Sequence, residues 1–176
     1  GDVRFYNNVF VQPKTRQGLI DICAGCEDGE WDDENLIAGT FSYNGYMTED
    51  EWKSYFDGYC GEGAEDSRDK YYMPLPVWVK DNVYFNGAKA CDKEINPVID
   101  NEHEITVELV EKDGEYKVIT NMMDYLPKGE IITSDTLGMA FEPEERFEEP
   151  NGDDIILDTD YYGNKRSDKP VFGPFA

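Results

Sequence analysis

At 176 residues the chain has the size of one ordinary domain, long enough to bury a core without disulfide or metal staples. Its 39 acidic and 16 basic residues give a formal charge of -23, which argues against nucleic acid and anionic membrane as partners, because each phosphate contact needs a cation that the surface lacks. Aromatic residues at 14% exclude the aromatic-poor acidity of a disordered chain, and no apolar run approaches the ~20 residues of a membrane-spanning helix.

The first element is strand-like. Residues 2–11, "DVRFYNNVFV", carry Val3, Phe5, Val9, Phe10 and Val11 around the pair Asn7-Asn8, a β-branched and aromatic content suited to a buried strand. A chain that opens inside such a strand is expected to be a piece of a larger protein. Residues 13–47 then carry Gly, Pro, Asp and Asn at short intervals and read as a long decorated loop with short strands.

One helix is predicted, over about 48–59. In "TEDEWKSYFDGYCG", Thr48 and Glu51 form a capping box, Trp52, Tyr55, Phe56 and Tyr59 repeat at helical spacing, and Gly58 and Gly61 supply the stop. After a second loop the opening pattern returns, Val77 to Phe85 matching Val3 to Val11 at an offset of 74. A strand, an Asn at a bend and a second short strand describe how one coil of a parallel β-helix turns its corner, since Asn tolerates left-handed φ and its amide reaches the next coil. The same pattern fits any two buried strands that end in an Asn turn. Further on, "HEITVELVEKDGEYKVIT" predicts a hairpin turning at Asp113-Gly114, and short strands are expected at 131–133 and 155–157.

The expected architecture is therefore mainly β in a single compact unit, with end coils of a right-handed parallel β-helix and an antiparallel β-sheet or sandwich region. Residues 1–12 and 76–90 supply the coil strands, 13–75 a loop and helix insertion, and 91–176 the antiparallel region and tail.

Chemistry is sparse. Four cysteines include the C-x-x-C pair Cys23 and Cys26, but Cys60 and Cys91 form no second pair, so ordinary thiols or one loop disulfide compete with zinc. The single His103 stands near no nucleophile motif and reads as a partly exposed structural side chain; Walker and dinucleotide glycine patterns are absent. Carboxylates, the groups of glycoside hydrolysis, abound, yet residues 141–160 hold nine acids and one base, and no catalytic pair can be picked from them. Within that run Asp153, Asp154, Asp158 and Asp160 offer oxygens to Ca²⁺ without EF-hand spacing, against the alternative of a solvated acidic face; no other cofactor is expected. Trp31 in an acidic loop and Trp78, on the strand face opposite Val77 and Val79, are candidates for stacking on sugar rings, whereas Trp52 reads as core.

Three stretches, "FYNNVFV", "PVWVKDNVYFNGAK" and "LGMAFEPEERFEEPNGDDIILDTDYYGNKRSDKPVFGPFA", together resemble the C-terminal part of the β-helical β-xylosidases of glycoside hydrolase family 120. The run "ILDTDYYGNKRSDKPVFGPF" is the most specific of these, and its shorter form looks like the tail of many secreted β-helix carbohydrate enzymes. The resemblance implies a right-handed β-helix joined by a β-sandwich, and removal of xylose from xylo-oligosaccharides with retention, by an Asp nucleophile and a Glu acid/base. Those two residues belong to coils upstream of the matched segment, so neither transfers to a position here. The implied partners are a xylo-oligosaccharide or the missing upstream β-helix, with a homo-oligomer also open. The rival expectation is a non-catalytic carbohydrate-binding or β-helix-capping module.

Overall fold

The structure, a computed structural model, describes residues 2–25, 36–55 and 73–175. Its strands are β1 (Val3–Tyr6), β2 (Val9–Val11), β3 (Val77–Lys80), β4 (Val83–Phe85), β5 (Val98–Asp100), β6 (Val107–Lys112) and β7 (Glu115–Thr120). The helices are α1 (Gln17–Ala24), α2 (Glu49–Tyr55) and α3 (Ser134–Leu137), so the fold is mainly β with several small sheets.

The repeat at offset 74 is a physical pairing. β1 lies parallel to β3 with Val3 opposite Val77, and β2 lies parallel to β4 with Val9 opposite Val83. A third tier continues the stack at an offset of 15, where Lys80 bridges Ile95 and β4 pairs in parallel with β5. At the bend of each tier stands a residue in the left-handed region: Asn7 (φ 56), Asp81 (φ 55) and Asn96 (φ 54). Short polar side chains suit these positions because they tolerate left-handed backbone at little cost.

The residue after the bend ties tiers together. Asn82 is fully buried; its Oδ1 accepts from Asn8 N and Asn8 Nδ2, both at 2.9 Å, while its Nδ2 donates to Phe5 O at 2.9 Å and Glu94 Oε1 at 2.8 Å. Glu94 also accepts from the Asn82 backbone N–H, Thr40 Oγ1 and the Tyr84 hydroxyl. Burial and this carboxylate both push the Tyr84 phenol far above its ordinary pKa. Every partner in the network is an internal one, so it acts as a staple between tiers.

Alternation along the strands fills two cores. Val77, Val79 and Cys91 are buried with Val3, Phe5, Tyr43 and Tyr46 packed against them, and Cys91 is a free thiol. Val83 and Phe85 join Ile105, Met122 and Phe172 in the second cluster. Phe10 stacks on Tyr84 with centroids 5.2 Å apart, which extends the aromatic column between the two.

The capping box predicted for α2 is formed: Glu51 N donates to Thr48 Oγ1 at 3.3 Å, and Thr48 N donates to Glu51 Oε2 at 2.9 Å. Trp52 is half-buried and meets Phe141 edge to face. Phe56 and Tyr59 lie outside the described residues, as do Cys26 and Cys60.

Two expectations are corrected. The stretch read as loop after residue 13 contains α1, supported locally by the Gln17 amide donating to Asp21 at 2.9 Å, one turn along; the fold thus has more than one helix. The antiparallel region is a single hairpin, β6 and β7, whose Asp113 (φ 57) and Gly114 (φ 81) make the predicted turn. Among the described residues no second sheet packs on it as a sandwich. Residues 131–133 and 155–157 do approach each other, but through the single bridge Thr133 to Ile156, and the rest of the tail follows the same style of isolated antiparallel bridges. Pro127, Pro143 and Pro150 interrupt this stretch, and each removes a backbone donor that a ladder requires.

The tail lies against the bend of the first tier. Gly173 N donates to Asn7 O at 2.8 Å, and Asn7 Nδ2 donates to Glu130 O at 3.0 Å. Arg4 donates to the carbonyls of Leu137 and Met139 while paired with Asp2, whose carboxylate also receives the Phe141 N–H at 2.8 Å.

Candidate functional site

Two hollows lie along this seam and a third lies between the start of α2 and β3, and Tyr6 lines all of them. Tyr6 is the last residue of β1, placed at the rim because the chain bends at Asn7. The first hollow, about 520 Å³, is bordered by Phe10, Asp160, Tyr161 and Arg166. The middle one, about 320 Å³, holds Lys80, Asp81 and Glu130; the third, about 350 Å³, holds Trp78, Glu49, Asp50 and Lys93. Their linings mix aromatic rings with carboxylates, amides and cations, of which Lys93 is paired with Glu51 and Lys80 with Asp81. Volumes of this order suit small polar ligands.

The wall at the first hollow is built by the tail motif. Asp160 Oδ1 accepts the backbone N–H groups of Tyr162 and Asn164, and Asp160 Oδ2 accepts from Asn164 Nδ2 at 3.0 Å. The Asn164 side chain foremost, with the two backbone donors, holds the Asp160 carboxyl below the usual aspartate pKa. Gly163 (φ 81) closes the turn. Arg166 then donates through Nη2 to the carbonyls of Val171 and Gly173, which orders the segment that reaches Asn7. Its Nε is buried and has no hydrogen-bond partner.

Of the residues singled out from sequence, Trp78 lines the third hollow. It is half-buried, the Arg4 guanidinium lies 4.2 Å over its ring and the Phe141 ring is 5.8 Å away, so one of its flat faces is already taken. Trp31 lies outside the described residues. The four aspartates are not gathered at one point: Asn151 Nδ2 donates to Asp153, Arg146 pairs with Asp154 at 2.8 Å, Lys165 with Asp158 at 3.5 Å, and Asp160 is engaged in its turn. Among the described residues no group of three or more His, Cys, Asp or Glu side chains is placed to hold a metal ion. His103 is half-exposed; its Nδ1 lies 2.8 Å from Asp100 and its ring stacks on Tyr125.

Tyr6, Phe10, Tyr161 and Arg166 were not picked out by sequence reasoning. The only signal for two of them is the tail run "DTDYYGNKR", which marks a motif without saying what it borders.

The parallel tiers and the draped tail define a β-rich fold, and this fold recurs in a known protein. No protein-family model matches the chain, and no curated protein matches it. Among solved structures, XylC in complex with xylose superimposes with a TM-score of 0.71 at 24% identity, over 98% of this chain and 24% of that one. The likeness shows a shared fold. The chain spans about a quarter of the length of XylC.

Proposed function

We propose that this chain is a coil-and-cap segment of a β-helical glycoside hydrolase of the β-xylosidase type, corresponding to the C-terminal part of such an enzyme. In this reading the stacked tiers are end coils of a right-handed β-helix, further coils pair along the β1 and β2 edge, and the catalytic carboxylate pair belongs to those coils. The observation that carries the reading is the in-register parallel stack with a left-handed residue at each bend, in a chain that superimposes almost entirely on part of a protein bound to xylose. An edge strand presents a row of backbone donors and acceptors that a preceding coil satisfies.

The test is hydrolysis. The purified chain, given xylobiose or an aryl xyloside, is expected to release no xylose above the buffer blank. Turnover at a rate comparable to a complete β-xylosidase refutes the placement of the catalytic pair elsewhere.

A second reading, a capping or carbohydrate-binding module, is favoured by the tail that lies over the first bend through Gly173 and Arg4. It predicts association or glycan binding in the absence of any hydrolytic partner.

A further inference from the structure

We propose that the hollow bordered by Tyr6, Phe10, Asp160, Tyr161 and Arg166 is a binding site for a short neutral oligosaccharide, with Tyr161 as its stacking ring. The inference rests on the carbohydrate reading above and names the place where the sugar is held.

Four observations converge. The hollow is the largest of the three that Tyr6 lines, and at about 520 Å³ it has room for more than one sugar ring. Tyr161 is 76% exposed at its border, its ring meets Tyr162 and Phe175 at T-shaped angles, and its backbone is fixed by donation to Pro174 O at 2.7 Å, so most of an aromatic ring is displayed on an ordered turn. Arg166 borders the same hollow and brings a guanidinium to it, a group whose N–H donors suit a ligand hydroxyl. Asp160 keeps lone-pair capacity at Oδ2 after its three internal bonds, which suits a hydroxyl donor.

Charge selects the class of ligand. A formal charge of -23 repels an anionic sugar, and one Arg166 does not reverse that field. Neutral polyols avoid this penalty while offering donors to Asp160 and acceptors to Arg166, and the C–H face of a pyranose covers the Tyr161 ring by burial and dispersion. Trp78, with Arg4 over one face, is the poorer platform.

The experiment is isothermal titration of the full chain with xylotriose, beside a trigalacturonide as the anionic control. Tyr161→Ala is chosen because an exposed turn residue tolerates truncation, with circular dichroism and the melting temperature as checks on folding. Xylotriose is expected to bind the unaltered chain, about tenfold more weakly to Tyr161→Ala, and within about threefold of the original to Tyr161→Phe. Trp78→Ala is expected to leave the affinity unchanged, and the trigalacturonide to give no heat. Binding that survives Tyr161→Ala but is lost in Trp78→Ala overturns the assignment of this hollow and leaves the carbohydrate reading standing. No heat from xylotriose with the unaltered chain overturns the sugar site and leaves the coil-and-cap reading, which hydrolysis tests, standing. A concentration-dependent dimer abolished by Tyr161→Ala, without heat from the sugar, shows the hollow to be filled by a second copy and likewise overturns the proposal.

Discussion

Asn82 is the residue on which the tier stack most depends, and its truncation to Ala gives the sharpest test of the fold. Its side chain is wholly buried and makes four hydrogen bonds, two accepted from Asn8 and two donated, to Phe5 O and to Glu94 Oε1. Asn82→Ala leaves the Asn8 N–H and the Phe5 carbonyl without these partners, while Glu94 Oε1 keeps the backbone N–H of residue 82. A buried unsatisfied polar group costs about 1–3 kcal/mol, so two of them give at least ~2 kcal/mol. Asn8 is only half-buried, so water can reach part of the gap and hold the total near ~3 kcal/mol. That is a large share of the ~5–15 kcal/mol by which a domain is stable. For a chain of this size it corresponds to a fall of about 10 °C in melting temperature. Guanidinium denaturation of the single variants Asn82→Ala and Asn8→Ala and of the double variant reads the effect directly. Asn8→Ala is expected to cost about 1 kcal/mol, and the double variant less than the sum, because the first truncation already removes the shared bonds. A cost below about 1 kcal/mol for Asn82→Ala, or strict additivity, refutes the staple.

Three further outcomes follow from the backbone and the carboxylates. A Cβ on Gly39 (φ 120) would stand 2.2 Å from Lys89 O, so Gly39→Ala is expected to lower the unfolding free energy read by denaturant titration by about 3 kcal/mol, whereas Gly45→Ala (φ 80, open space around it) costs only about 1–2 kcal/mol; equal costs contradict the close approach. At the bend, Asp81→Gly is expected to be near neutral and Asp81→Val to destabilise by about 1–2 kcal/mol, measured by urea unfolding; the reverse order rules out a left-handed Asp81. The Asp160 carboxyl titrates below the ordinary aspartate value when folded, so its contribution to stability is fully present above the unfolded-state pKa and is lost as pH falls through the lowered folded one. An NMR titration of its carboxyl carbon reads this shift, Asn164→Ala is expected to move it back up, and an unshifted value in the unaltered chain contradicts the turn geometry.

How much of this was legible differs from element to element for physical reasons. The pairing of β1 with β3 could be read because both strands keep the same alternation around the same polar bend, and such a match survives an insertion of any length. The third tier was not read, since Pro97 stands where its two predecessors have Asn8 and Asn82, and β5 is three residues long with Val98 and Ile99 substantially exposed. The hairpin and the capping box are local, so neighbouring residues specify them without reference to the rest of the chain. Helix α1 was hidden because Gly18 and the flanking Pro13 and Gly25 read as loop punctuation, while its Leu19, Ile20 and Ile22 are too exposed to mark a buried face. The first hollow was least legible of all. Tyr6 and Arg166 are brought together only by the tail lying over the first tier, and a contact between chain ends leaves no periodicity to detect.

The tail motif explains why capping and ligand binding need not compete in this chain. Asp160 fixes a turn, and Arg166, six residues on, holds the carbonyls of Val171 and Gly173. That hold positions the Gly173 N–H on Asn7 O, at the bend of the first tier. Gly173 has φ 85, and a Cβ there would stand 3.0 Å from Val9 Cγ2, so the crossing requires glycine on both conformational and steric grounds. The same three residues therefore do two things at once: they close the tail over β2, and they raise the wall of the hollow in which Tyr161 is displayed. A change that loosens the wall also frees the Asn7 bend beneath it. Arg166→Lys is the case in point, since an ammonium is a compact point charge without the planar fork of the guanidinium that bonds both carbonyls. It is expected to weaken xylotriose binding and to raise hydrogen exchange at Gly173 together; loss of binding with unchanged protection at Gly173 separates the two roles and refutes their coupling.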